Sequence, residues 1–141
     1  MRSRYLLLFW LAAAVVACAQ IGPCTEAAVR KGELPAADNA FNYMPAYSKP
    51  AATRSEVEQA NKENFSDRIN RTFEWADDHH VGASASGDMA FEHGTMHVSY
   101  ETKSDGKHHS FDAVMLMVYQ AKGSVCQQVA LTMYPLEDTV K

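Results

Sequence analysis

Three turn signals cut the second half of this chain into long strand-like segments, and their spacing most narrows what the chain can fold into. They are Ser86-Gly87-Asp88, Ser104-Asp105-Gly106 and Lys122-Gly123. Between them run "MAFEHGTMHVSYETK" and "HHSFDAVMLMVYQ"; "TFEWADDHHVGASA" precedes them, and "SVCQQVALTMYP" follows and is stopped by Pro135. Each segment is rich in β-branched, aromatic and aliphatic residues and is bounded by Gly, Ser or Asp. The pattern predicts four consecutive antiparallel strands in a meander. His93 and His97 then sit on one strand, about 13 Å apart at 3.3–3.4 Å per residue, too far to chelate one ion together.

Upstream, residues 20–55 read as loop, because Pro35, Pro45 and Pro50 break any long helix there. A helix begins at Thr53 or Ser55, with Ser55 and Glu58 in capping-box spacing, and continues through "SEVEQANKENFSDRI". Its apolar stripe, Val57, Ala60, Phe65 and Ile69, is narrow.

Turn length gives a register. A two-residue turn at Ser86-Gly87 sets His80 opposite His93. A turn at Ser104-Asp105-Gly106 sets His93 near Met117 and His97 near Ala113. One face then carries His80, Phe91, His93, His97, Met115, Met117 and Tyr119. The other carries Ala90, Glu92, Met96, Val98, Asp112, Val114 and Leu116. The second face is smaller and more aliphatic and is assigned to the interior, against the helix. The first suits a subunit interface.

The N-terminus reads as a processing signal. "MRSR" is a basic start and "YLLLFWLAAAVVA" an apolar run too short for a comfortable membrane span. Two cleavage readings stand open. Ala17-Cys18-Ala19 fits a small-x-small site and leaves Gln20 first; "VVAC" fits a lipobox that would put a lipid on Cys18. Either leaves Cys24 and Cys126, which in an oxidising compartment read as a disulfide. Closing a loop of about a hundred residues contributes up to ~4–5 kcal/mol in the chain-entropy model. The product is an exported protein, periplasmic or secreted, with a membrane attachment only through that lipid. A net charge of -4, with Lys and Arg scattered, argues against a nucleic-acid partner.

The stretch "SGDMAFEHGTMHVSYETKSDGKHHSFDAVMLMVYQAKGS" resembles the second half of the SnoaL-like domains of the nuclear-transport-factor-2-like superfamily, which includes ketosteroid isomerase. Its marks are Gly87-Asp88, Ala90, Glu92 and Gly94, then Asp112, the apolar run to Tyr119 and Gly123-Ser124. "YMPAYSKPAATRSEVEQANKENF" is similar to the family's short strand, Pro-containing loop and helix. The resemblance implies an α+β fold, a curved antiparallel sheet forming a cone around one main helix. Only "CTEAAVRKGELPAADNA" is left for the family's long first helix, so that helix is short or degraded. The division expected is 1–19 signal (or a lipoprotein signal ending before Cys18), 20–41 loop or short helix, 42–136 domain and 137–141 tail. The resemblance also implies a protein that binds a small apolar or amphipathic molecule, and the amphipathic first face of the sheet is expected to pair two copies as a homodimer.

Glu92 and Asp112 are the interior carboxylates and the candidate catalytic pair for isomerase- or cyclase-like proton transfer, where burial raises a carboxylate's pKa. Tyr43, Tyr47, Trp75 and Met96 are the candidate ligand contacts. All six histidines lie between 79 and 109, but His80 with His93 is the one cross-strand pair and has no third ligand, so no metal and no cofactor is expected. Asp77-Asp78 reads as a solvated strand start. An envelope interaction protein with its cone filled by side chains is the remaining alternative.

Overall fold

The computed structural model describes residues 22–44 and 49–140, with the backbone alone for 137–140. The segment expected to be an export signal, Cys18 and Tyr47 lie outside the described residues. Helix α1 (Glu26–Lys31) is a short helix capped by the Thr25 hydroxyl and closed at Gly32. Strand β1 (Ala36–Tyr43) follows, then helix α2 (Arg54–Phe65). Five strands complete the chain: β2 (Arg68–Trp75), β3 (His80–Ala83), β4 (Met89–Thr102), β5 (His108–Lys122) and β6 (Val125–Val140).

They form one six-stranded sheet in the order β1-β6-β5-β4-β2, with β3 beside β2 on the same edge of β4. All pairs are antiparallel except β1 with β6, which is parallel. The α+β cone wall expected from the sequence is present, and helix one is short. Three local readings change. The capping box is Thr53 with Glu56, the Thr53 hydroxyl accepting from Glu56 N at 3.2 Å, rather than Ser55 with Glu58. The helix stops at Phe65. Strand β6 runs on through Pro135, which a β-bulge opposite Asp112 and Ala113 accommodates beyond the end of β1, where a missing N–H breaks no ladder.

The segment "TFEWADDHHVGASA" is two strands, not one. Asp78 accepts hydrogen bonds from Thr95 N and Thr95 Oγ1, both at 2.8 Å, and this folds Ala76–His79 into a turn. The two halves then pair with different stretches of β4. Those bonds also hold the Asp78 carboxyl below its ordinary range, the backbone one most. Asp78 is an anchor rather than a solvated strand start.

The interior face of β4 is as expected: Ala90, Glu92, Met96, Val98 and Tyr100 are buried. His80 faces His93. The face of β5 is reversed. The loop between Thr102 and Lys107 holds four residues, closed by Thr102 N to Lys107 O, where three were expected. His93 therefore pairs with Leu116 and His97 with Asp112. Ala113, Met115 and Tyr119 turn inward, while Asp112, Val114 and Leu116 face out.

Two apolar clusters make the core. One gathers Val29, Val81, Ala90 and Tyr119 around the Cys24–Cys126 disulfide, which spans 102 residues and ties the segment before α1 to the start of β6. The other is Met96, Val98, Ala113 and Met115. Met117 packs against both.

Candidate functional site

Two cavities lie on the inward face of the sheet. Helix α1 flanks the first, of about 400 Å³, whose walls include Trp75, His79, Glu92, Met117 and Tyr119. Glu92 is only 5% exposed, and a carboxylate in such a place needs partners for both oxygens. It has them. The Tyr119 hydroxyl donates to Oε1, and His79 Nε2 lies 3.0 Å from Oε2. Burial, with the bond to Glu92, pushes the Tyr119 phenol well above its ordinary range, so it stays a donor. When Glu92 is ionised it can only accept, and His79 then donates from Nε2. Its Nδ1 has no hydrogen-bond partner among the described residues. The ring stacks on Trp75 at 4.1 Å between centroids and 7° between planes.

The backbone places this group. Gly94 lies across from the Asp78 turn, and a Cβ there would come within 2.9 Å of His79 Cα and 3.1 Å of Asp78 O. The absence of a side chain at Gly94 lets the turn lie flat on β4 and brings His79 over Glu92. Such a group, a ring oriented by a buried carboxylate with its second nitrogen open, can accept a proton.

Helix α2 roofs the second cavity, of about 470 Å³, over β2, β4, β5 and β6. Phe73, Val98, Tyr100, Met115, Leu131 and Met133 give it an apolar floor, with Phe65 above and Arg68 and Arg71 at the rim. Trp75 and Met117, which line the first cavity, also pack against the methionine cluster under the second.

A third, open cleft of about 790 Å³ lies on the outer face, around His97 and Asp112. The two side chains are hydrogen-bonded but 56% and 50% exposed, so water screens them. The hydrogen bond that His97 Nδ1–H donates to Asp112, followed by the charge of Asp112, raises the His97 pKa.

Of the residues singled out in the sequence, Glu92 and Trp75 come together in the first cavity. Asp112 does not join Glu92, because β5 presents its other face. Met96 is buried in the methionine cluster and lines neither inner cavity. Tyr43 is 41% exposed on β1. His79, Tyr119, Arg68 and Arg71 were not foreseen. The correct turn length would have put Tyr119 on the face of Glu92, but nothing local in the sequence orients His79. Among the described residues no group of three or more His, Cys, Asp or Glu side chains is arranged to hold a metal ion.

No protein family matches the sequence, and no curated protein does. Solved structures do match the fold. A hexachlorocyclohexane dehydrochlorinase, LinA type 2, superposes with a TM-score of 0.64 at 12% identity, over 83% of this chain and 76% of its own. A ketosteroid isomerase-like protein from Erwinia carotovora atroseptica gives 0.60 at 15%, over 81% and 83%. A nuclear-transport-factor-2-like protein from Cytophaga hutchinsonii gives 0.51 at 11%, over 77% and 82%.

Proposed function

We propose that this chain, which has the nuclear-transport-factor-2-like fold of those neighbours, is an exported protein that binds a small apolar or amphipathic molecule under α2. The observation that carries this is the unfilled apolar cavity of about 470 Å³ between α2 and the sheet. Its size falls within the ~300–1,000 Å³ usual for small-molecule sites, and an apolar floor with a few polar groups at the rim is their usual make-up. It also speaks against a cone packed with its own side chains. Export is supported by the Cys24–Cys126 disulfide. No helix among the described residues is long and apolar enough to cross a membrane.

The test is direct. Nile red, a neutral apolar dye, should bind the purified protein and fluoresce, and native mass spectrometry should release a discrete organic molecule on denaturation. Met133→Trp, which fills the cavity, should abolish both. A wild-type protein that takes up no dye and carries no ligand overturns the proposal.

A second reading makes the protein an enzyme, and the His79–Glu92–Tyr119 group favours it. Here the molecule binds in the first cavity instead, His79 Nδ1 takes a proton from it as a C–H acid, Glu92 steadies the imidazolium that forms, and Tyr119 keeps Glu92 in place. The neighbours named as a dehydrochlorinase and as ketosteroid isomerase-like make proton removal a natural use of the fold. In heavy water the wild type should exchange a carbon-bound hydrogen of its released ligand, and Glu92→Gln should not. Equal exchange by both would rule the reading out.

The same proposal pairs two copies through the outer face. There Phe91, Val114, Leu116 and Tyr134 are all exposed on adjoining strands.

A further inference from the structure

We infer that the cavity under α2 takes a single-chain anionic amphiphile, its head group held by Arg68 and Arg71 and its tail lying on the methionine floor. This rests on the proposal that the cavity binds a small molecule, and it names the ligand's chemistry. Three cations line the cavity, Lys62, Arg68 and Arg71, and no acid is among its described lining residues. That is an unusual concentration in a chain of net charge -4. The nearby carboxylates are engaged elsewhere. Glu101 accepts from Asn70 Nδ2 at 2.9 Å, and Asp67 accepts from Ser104 N and Oγ at 3.1 and 2.6 Å. On α2, Glu56 and Glu63 line the groove on the other side of the helix.

The two arginines share the cavity because the backbone is bent to put them there. Positions three apart on a regular strand point to opposite faces. A β-bulge between Ile69 and Thr72 removes that opposition, and Asn70 within it adopts the left-handed conformation, φ 50°, that Asn tolerates better than most residues. The Asn70–Glu101 hydrogen bond braces the bulge. The Arg68 guanidinium lies over two rings, its carbon 4.3 Å from the Tyr100 centroid and 4.7 Å from that of Phe65. No hydrogen bond or ion pair reaches the side chain of Arg68, Arg71 or Lys62 among the described residues. A guanidinium held over aromatic rings, with no hydrogen-bond partner among the described residues, has N–H donors to offer a carboxylate or sulfate. Phe73, Val98, Met115, Leu131 and Met133 behind it exclude a bare inorganic anion as the natural occupant, and the cavity volume suits one alkyl chain rather than two.

Dodecanoate and dodecan-1-ol, each below its aggregation threshold, should be titrated against bound Nile red. Wild-type protein should prefer dodecanoate by about tenfold or more, the worth of a charge-assisted hydrogen bond. Molar salt should erase that preference, and Arg68→Met with Arg71→Met should bind the two compounds alike. The wild-type ratio and its salt dependence need no variant, so misfolding of the double variant would leave the test intact. Equal binding of both compounds by the wild type overturns the anionic head group while leaving the binding proposal standing. Failure of both compounds and the dye to bind overturns the two together.

Discussion

At the scale of single residues, the hydrogen-bond partners of two carboxylates separate their roles. Glu92 is buried and doubly bonded, so it acts as a fixed acceptor. Replacing Tyr119 by Phe leaves one carboxylate oxygen without its donor and should cost about 1–3 kcal/mol in denaturant unfolding. Asp112 is half exposed and acts on His97. Because the folded pKa of His97 is raised above 6.5, the pair's contribution to stability is complete below the unfolded value. It is lost as pH rises through the raised folded value. An NMR titration should place the His97 midpoint above 6.5, and Asp112→Asn should bring it back toward 6.5. The same midpoint in both proteins would show that the hydrogen bond does not persist in solution.

At the scale of elements, two irregularities in β2 and β4 do what regular strands would not. The bulge at Asn70 turns two arginines to one side, and the missing side chain at Gly94 admits the Asp78 turn. Gly94→Val should therefore push that turn away, since its Cβ would meet His79 Cα at 2.9 Å. We expect a loss of about 1–3 kcal/mol, the usual cost of overpacking, together with altered His79 ring shifts. A variant as stable as wild type with unchanged His79 resonances would refute this account. How far β4 and β5 were legible in the sequence follows from the same physics. In β4, small or apolar residues alternate with His93, Thr95 and His97, so its buried face could be read directly. In β5, residues 113–118 are apolar on both faces and carry no alternation. Its register rested wholly on the loop after Thr102, and one extra loop residue exchanged Asp112 for Met117 and Tyr119 on the inner face.

At the scale of the molecule, no element among the described residues covers the outer face of the sheet. Phe91 and His93 stack there, with His80 tilted against both, beside Leu116, Val114 and Tyr134. Burying such a face is the ordinary use of a large apolar patch. Sedimentation should find a dimer at micromolar concentration, and Leu116→Lys with Val114→Lys should give a folded monomer. A monomeric wild type would refute the pairing.

The sequence by itself determined the elements that local chemistry controls. Turn residues bounded β4 and β5, the prolines kept a long helix out of 20–55, and Cys24 with Cys126 read as a disulfide on the expectation of export. The alternation in β4 put Glu92 inside. Only the tertiary structure decided what Glu92 meets there. His79 reaches it through a turn that Asp78 pins to Thr95 of β4, and Tyr119 through a register that the apolar face of β5 could not specify. The arginines share a cavity because of a bulge formed against β4. These are contacts between residues far apart in sequence. Their geometry depends on loop length and on the packing of neighbouring strands, and neither is set by the residues that carry the chemistry.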